Sequence, residues 1–346
     1  MNALQEGRSL ELSQELLKGA IDLHVHVGPH LFSSPRRQDP IECAIEARDA
    51  GMRAFAIVDV FEMSNGYTWI VNRHVDNFTV YGGLALNTVY GGMNPRAVRT
   101  ALYYGSGAKY ISFGTHSTYY QAAREGRRID GEFKSLAEIY PKFRKEELSR
   151  AIRIPLDEEP DEALDEILRM IADHPDVYMD TGHISPEEAM RLCDLKERYG
   201  YEKIVISSSV VKVSSMQQLE YMVKKGAYIE QTLGAFTAAQ MIPLTHYYVE
   251  KEYASVDEGM NEPKGIGIVA EHVAAFGAEN MIMDTDFGRY ALSTPVEGLR
   301  QYISMMLDMG VSPEDVRTMV KTNPEKILGL DPMDPNDFPI KTDEEE

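Results

Sequence analysis

The chain has 346 residues, 43% of them hydrophobic, and a formal net charge of −20 at pH 7. This length suits one large α/β domain or two ordinary ones. Because phosphate binding needs a basic face, the excess of 55 Asp and Glu over 35 Lys and Arg argues against nucleic acid as a partner.

The sequence also argues against a membrane partner and against export. No apolar run is long enough to cross a bilayer, and the N-terminus lacks the basic-then-apolar order of a signal peptide. The two cysteines, Cys43 and Cys193, form no paired motif, so neither a disulfide framework nor a cysteine zinc site is indicated. We therefore expect a reducing, cytoplasmic location.

The first predicted strand spans residues 21–27, where apolar residues alternate with Asp22, His24 and His26. This alternation is the period of a β-strand, and Gly28-Pro29 ends it. Residues two apart on a strand point the same way, so His24 and His26 should project together from the face opposite the apolar one. Two imidazoles on a stiff strand form half of a metal site. The alternative is a polar strand face that carries two histidines by chance.

Seven further strands are predicted, each separated from the next by a helical pattern. They span residues 53–60, 79–86, 109–115, 177–181, 203–208, 227–233 and 280–286. Helix starts between them are marked by N-cap signals such as Asp39-Pro40 and Ser185-Pro186. Eight short apolar strands alternating with helices predict a (β/α)8 TIM barrel. The alternative is a doubly wound open sheet, which the strand count and the lack of a dinucleotide fingerprint disfavour.

This pattern divides the chain into three parts. Residues 1–19 are predicted to form an N-terminal helix, residues 20–330 the barrel, and residues 331–346 an acidic tail. Two stretches that break the alternation, near 119–156 and 234–263, are predicted insertions.

Polar side chains gather at the predicted strand ends, where a barrel of this kind places its active site. They are His24 and His26, Asp59, His116, His183, Ser208, Glu230 and Asp286. Several of these are typical metal ligands, and they come from different strands. The strand ends therefore predict a metal site at the mouth of the barrel.

Four motifs resemble the amidohydrolase superfamily of metal-dependent hydrolases, in the right order along the chain. They are Asp22-Leu-His-Val-His26, Thr181-Gly-His183, Asp286-Phe-Gly288 and the terminal Asn323-Pro-Glu-Lys-Ile-Leu-Gly-Leu330. Three others, Gly28-Pro29, Gly91-Gly-Met-Asn-Pro95 and His183-Ile-Ser-Pro-Glu-Glu188, look closer still to an uncharacterised, amidohydrolase-like prokaryotic family with no assigned substrate. The resemblance covers nearly the whole chain.

The resemblance implies a ligand set and a catalytic role. His24, His26 and His183 would be nitrogen ligands, and Asp286 would be both a carboxylate ligand and the general base. Three nitrogens and a carboxylate suit one divalent metal, zinc first, with iron or manganese as alternatives. Such a metal would lower the pKa of its bound water, and Asp286 would take the proton.

The chain departs from the superfamily pattern at the sixth strand, where Ser208 stands in place of the usual histidine. The bridging lysine or glutamate often found on the fourth strand is not evident either, because Lys109 lies at the wrong end of that strand. One metal is therefore favoured over two. His116 is predicted as an extra ligand or as a catalytic substitute for the missing histidine, and an equal alternative is that it bonds a loop carbonyl.

Four residues are candidates for a substrate pocket: Asp59, Ser208, Glu230 and Arg289. Arg289 could bind a substrate carboxylate or phosphate, although a surface salt bridge is the favoured interpretation. Asp284 should point into the barrel, where a buried carboxylate needs a partner, and a structural ion pair is expected for it.

Three functional hypotheses follow. The first is a metal-dependent hydrolase that acts on an amide, ester or lactone of a small molecule. The second is a metal-dependent non-oxidative decarboxylase that uses the same site. The third, motivated by the missing histidine of the sixth strand, is a catalytically inactive scaffold. A small-molecule substrate and a homo-oligomer are the expected partners.

Overall fold

The computed structural model describes residues 3–30, 35–237 and 264–333, and within them eight parallel strands form a barrel. In chain order the strands are β1 (Ile21–Val25), β2 (Ala54–Ile57), β3 (Thr79–Ala85), β4 (Ala108–Ser112), β5 (Gly126–Ile129), β6 (Glu132–Ser135), β7 (Tyr178–Asp180), β8 (Ile204–Ile206), β9 (Tyr228–Thr232) and β10 (Met281–Asp284). The antiparallel pair β5–β6 stands outside the barrel. The predicted (β/α)8 barrel is confirmed. Each barrel strand ends earlier than predicted, so the polar residues at the predicted ends mostly lie on the loops that follow.

Helices alternate with the barrel strands and cover them. In chain order the α-helices of the described residues are α1 (Ala3–Leu17), α2 (Pro40–Asp49), α3 (Asn65–Val71), α4 (Pro95–Tyr103), α5 (Tyr119–Ala122), α6 (Leu136–Ile139), α7 (Pro141–Glu146), α8 (Glu162–Ala172), α9 (Pro186–Tyr199), α10 (Ser208–Val211), α11 (Met216–Lys224), α12 (Leu233–Phe236), α13 (Gly267–Phe276), α14 (Pro295–Asp308), α15 (Pro313–Arg317) and α16 (Asn323–Leu328). The predicted N-caps Asp39 and Ser185 both form capping boxes. No helix among these is long and apolar enough to span a membrane.

The first predicted insertion, residues 119–156, contains three short helices and the β5–β6 hairpin. It has a small core of its own, formed by Ala122, Leu136, Ala137 and Phe143. Residues 238–263 of the second predicted insertion and residues 334–346 of the predicted tail lie outside the described residues.

The core has an inner layer inside the barrel and an outer layer between the strands and the helices. Ile21 and Leu23 belong to the inner layer, whereas Val25 and Val27 belong to the outer one. The prediction that these four residues share one face of β1 is therefore wrong. The pairing of β1 with β2 shifts register between Asp22 and Val25, and a shift of this kind turns the strand so that the following side chains change sides.

The helix α16 closes the end of the barrel where the strands begin. The Asn323 side-chain amide donates to the carbonyl oxygens of Ala278 (2.8 Å) and Met281 (2.6 Å), which anchors the helix to the start of β10. Ile327 and Leu328 pack into the inner layer. The terminal motif of the sequence therefore has a structural role, and the opposite end of the barrel remains as the mouth.

The barrel closes between β1 and the segment that follows β10. The Asp286 N–H donates to the His24 carbonyl (2.9 Å), and the His26 N–H donates to the Phe287 carbonyl (2.8 Å). These two bonds place the histidines of β1 beside Asp286. We call this junction the seam.

Gly288 gives a test of the seam, because a Cβ there would lie 1.6 Å from the His26 carbonyl oxygen and the residue has a φ of +132°. Gly288→Ala should lower the free energy of unfolding by roughly 3 kcal/mol or more, as measured by urea titration. Gly310→Ala is the control, because Gly310 also has a positive φ (+89°) but a Cβ there would meet nothing within 4 Å. The control should lose only about 1 kcal/mol, and equal losses would contradict a close approach at the seam.

Candidate functional site

Two buried carboxylates from either side of the seam bind backbone groups across it. Asp22 accepts the Thr285 hydroxyl (2.6 Å) and the N–H groups of His24 (3.0 Å) and Thr285 (3.3 Å). Burial raises the pKa of Asp22 to about 6, although these hydrogen bonds oppose the shift. From the other side, Asp284 accepts the Leu23 N–H (2.7 Å). The first and last strands are therefore joined by carboxylate oxygens as well as by backbone pairing.

The predicted ion pair of Asp284 is wrong. Its Oδ2 is buried and has no hydrogen-bond partner among the described residues, and no salt bridge from a described cation reaches it. Burial, followed by the nearby charges of Asp22 and Glu230, raises its pKa well above the usual value. This shift favours the neutral form of the carboxyl group, because a neutral acid is far less costly to bury than an unpaired anion.

His24, His26 and Asp286 converge at the mouth. The Nε2 atoms of His26 and His24 lie 2.8 Å and 3.8 Å from the same Asp286 oxygen, Oδ1. The two rings are nearly perpendicular, with centroids 5.2 Å apart. One potential ligand atom from each of the three residues lies within 4.8 Å of the others, which makes them a group that could hold a metal ion.

The second nitrogen of each ring is fixed by a different partner. His26 donates from Nδ1 to the Val58 carbonyl (2.7 Å), and burial lowers its pKa to about 4, despite the opposing effect of Asp286. The Nδ1 of His24 lies 2.9 Å from Glu230 Oε1. Burial alone would lower the pKa of His24, but the charge and hydrogen bond of Glu230, together with the charges of Asp286 and Asp180, outweigh burial and raise the pKa to about 10. Both rings are therefore oriented with Nε2 toward Asp286.

Ser208, which stands in place of the expected histidine, contacts Glu230. Its N–H and its hydroxyl donate to Glu230 Oε2 (2.9 Å and 3.1 Å), and the hydroxyl also lies 2.8 Å from Thr232 Oγ1. Both Ser208 and Glu230 are buried. These two predicted pocket residues thus form a chain, Ser208–Glu230–His24, that orients a histidine.

His183 and His116 lie next to each other, outside the group of three. Their rings are 5.5 Å apart and steeply inclined. The His183 Nδ1 is buried without a hydrogen-bond partner among the described residues, and burial, followed by the charge of His116, holds the pKa of His183 well below its usual value. The Nδ1 of His116 lies 2.7 Å from Oε1 of Glu125, which is only 1% exposed. Glu125 belongs to the first insertion, and no sequence motif marked it.

Asp286 is held as an anion in an unusual backbone conformation. Its φ is +55°, a value that few residues other than glycine adopt. Burial would raise its pKa, but Arg289, His26 and His24 together hold the pKa well below the usual range. The Nη2 of Arg289 lies 3.7 Å from Asp286 Oδ1, and Arg289 is 8% exposed. Arg289 therefore forms an ion pair, as the favoured interpretation expected, but the expected surface location is wrong because the residue is buried.

Asp59, the predicted pocket residue of the second strand, is fixed by its own loop. Its Oδ1 accepts the N–H groups of Phe61 (2.7 Å) and Glu62 (3.1 Å), and its Oδ2 lies 3.6 Å from the Nδ1 of His30. Burial opposes ionisation of Asp59, but His30 and these loop contacts lower its pKa below the usual value. His30, like Arg36 on the next described stretch, lies in a loop where no sequence pattern singled it out.

Comparison with solved structures defines the class of fold. The probable dipeptidase PvdM from Pseudomonas aeruginosa superposes with a TM-score of 0.55 at 11% identity, over 93% of this chain and 98% of that one. An amidohydrolase from Burkholderia multivorans with bound zinc gives 0.52 at 10% identity, over 90% and 99%. An amidohydrolase from Pseudomonas aeruginosa gives 0.52 at 12% identity, over 92% and 98%. The chain therefore has the amidohydrolase fold, as its motifs predicted.

The sequence comparison then assigns the family. The chain belongs to DUF6282, a family of unknown function, whose model matches residues 19–230. No curated protein matches the chain. The expected resemblance to an uncharacterised family with the amidohydrolase fold is confirmed.

Thr285→Val tests how far the seam depends on the bond to Asp22. The substitution preserves the shape of the side chain but removes the donor that lies 2.6 Å from Asp22 Oδ2. Because a buried carboxylate loses a partner, we expect the free energy of unfolding to fall by about 1–3 kcal/mol. Thr318→Val is the matched control, since its hydroxyl donates only to the Glu314 carbonyl on an exposed helix. Similar losses for the two variants, measured by urea titration, would count against the seam interpretation.

Proposed function

We propose that the chain is a metal-dependent hydrolase that uses one divalent metal, with zinc as the first choice. His24, His26 and Asp286 would hold the metal through two imidazole nitrogens and one carboxylate oxygen. His183 would add a third nitrogen, because its Nδ1 is buried without a described partner. Three nitrogens and one carboxylate suit zinc, and also iron or manganese.

The observation that carries this proposal is the approach of His26 to Asp286. A carbonyl oxygen only accepts, so the contact with Val58 puts the ring hydrogen of His26 on Nδ1. In the neutral ring, Nε2 then presents a lone pair to an Asp286 oxygen 2.8 Å away. Two lone pairs at this distance repel each other unless both atoms bind a cation. The donor set therefore fits a metal ion.

A divalent metal at this site, when bound, lowers the pKa of a water molecule toward neutrality. The rest of the reaction falls to side chains of this chain. Asp286, which is held as an anion, accepts a proton from the attacking water and donates it to the leaving group. His24 and His26 keep their orientation through Glu230 and Val58. The substrate class is an amide, ester or lactone of a small molecule.

Turnover in labelled water tests the reaction type. Zinc-, iron- and manganese-loaded protein would be incubated with a panel of amides, esters and lactones in ¹⁸O-water, and hydrolysis would place one labelled oxygen in the product. Release of CO2 from a carboxylic acid without label uptake would favour the decarboxylase hypothesis instead. No turnover with any metal, together with a stable co-purifying protein, would favour the inactive scaffold.

Metal content tests the ligand set. By elemental mass spectrometry the purified protein should hold about one metal per chain, and the His24→Ala/His26→Ala variant should hold none. The matched control is His74→Ala/His174→Ala, because these two histidines each bond a carbonyl of their own helix segment through Nδ1. Retained metal in the first variant would overturn the proposed ligands. Two metals per chain would point to a second site, with His116 as the first residue to test.

Glu230→Gln tests whether the chain Ser208–Glu230–His24 supports metal binding. Because the substitution removes the charge beside His24 Nδ1, we expect zinc affinity to fall by about 10–100-fold in chelator competition. Ser208→Ala should have a smaller effect, since the Ser208 N–H still donates to Glu230. Glu197→Gln is the control because Glu197 is an exposed acid paired with Lys225. Equal affinities for Glu230→Gln and the control would count against an orienting role.

A further inference from the structure

Arg36 and Arg289 carry buried nitrogen atoms that nothing in the described chain satisfies. The Nε and Nη1 of Arg36 and the Nε of Arg289 are buried and lack hydrogen-bond partners among the described residues. Within those residues, Arg36 forms no ion pair, and the carboxylate nearest to Arg289 is Asp286, at 3.7 Å. The hydroxyl of Tyr67 and both ring nitrogens of His30 are also buried without hydrogen-bond partners among the described residues, although His30 Nδ1 lies 3.6 Å from Asp59 Oδ2.

The fold holds the two arginines side by side. Their backbones form an antiparallel bridge, and the Arg37 N–H donates to the Gly288 carbonyl (2.8 Å) while the Tyr290 N–H bonds the Pro35 carbonyl (3.2 Å). The charge of Arg289 is one of the influences that lower the pKa of Arg36, after burial itself. The charge of Asp59 opposes this lowering most strongly, and that of Asp286 does so less. The two guanidinium groups therefore lie in one region, close to these two carboxylates.

A guanidinium group buried without partners is costly, because its donors lose water and gain nothing in return. Here two partly unsatisfied guanidinium groups lie together, and the carboxylate that lies 3.7 Å from Arg289 Nη2 also lies 2.8 Å from His26 Nε2. A pair of positive charges with unsatisfied N–H donors suits an oxyanion such as a carboxylate or a phosphate. The net charge of −20 would repel such anions at long range, so a local basic pair is what recognition would require.

We propose that Arg36 and Arg289 bind an oxyanion of the substrate, a carboxylate or a phosphate, next to the predicted metal. This inference rests on the proposed function and narrows its substrate class to negatively charged amides, esters or lactones. The anionic group anchors the molecule at the arginines, and the bond to be broken lies toward His24, His26 and Asp286. The Tyr67 hydroxyl and His30 are the further donors available on the same side.

Anion binding by the full-length, zinc-loaded protein tests this directly. Isothermal titration with glutarate and, separately, with inorganic phosphate would show which oxyanion is preferred. Arg36→Gln and Arg289→Gln should each weaken binding of the preferred anion by at least about tenfold. Arg36→Lys should also weaken it, because lysine keeps the charge but loses the Nε and Nη1 donors of the guanidinium group. Arg37→Gln is the control: Arg37 is the neighbouring residue, is exposed, and donates to the Leu292 carbonyl.

Two further measurements separate this inference from its alternatives. The titrations are repeated on the His24→Ala/His26→Ala variant, where retained, arginine-dependent binding supports the oxyanion site even if the metal proposal fails. Unfolding by urea then tests a purely structural role. We expect Arg36→Gln to lose no stability, since it removes an unsatisfied buried charge. A marked loss of stability with unchanged anion affinity, or no binding of either anion by the unmodified protein, would overturn the inference.

Discussion

The arrangement of the mouth depends on how the first strand meets the last. In a closed barrel these strands must pair, yet here the pairing is completed by carboxylates, with Asp22 accepting the Thr285 hydroxyl at 2.6 Å. The same junction carries the backbone bonds that place His24 and His26 beside Asp286. The closure of the fold and the position of the candidate metal group therefore depend on the same contacts. A change that loosens the seam should disturb both.

Among the described residues, one end of the barrel is closed and the junction lies at the other end. The helix α16 fills the opposite end of the barrel with Ile327 and Leu328, so access is left at the mouth. Behind His24, the buried pair Ser208 and Glu230 holds the ring through its Nδ1. Ser208, which stands in place of the expected histidine, therefore contacts Glu230, and Glu230 in turn orients His24. The hydrogen bonds between Ser208 and Glu230 and between Glu230 and His24 are compatible with a single metal at the mouth.

The proposed metal site and the proposed oxyanion site complement each other chemically. One would activate water, and the other would fix the position of a charged substrate relative to it, which lowers the entropic part of the barrier. Both include buried atoms that have no hydrogen-bond partner among the described residues, namely His183 Nδ1, Nε and Nη1 of Arg36, and Nε of Arg289. Such groups lower the stability of the free protein and are expected where binding is required.

The sequence by itself determined the architecture and the core of the site. Alternation of short apolar strands with capped helices predicted the eight-stranded barrel, because local periodicity and capping depend on residues near one another in the chain. Because the active site of such a barrel lies where its strands end, the sequence also predicted that His24, His26 and Asp286 lie close together. Only the tertiary structure decided the rest. The register shift in β1, the raised pKa of Asp284, the burial of Arg289 and its pairing with Arg36 all depend on contacts between segments far apart in sequence, which no local pattern encodes.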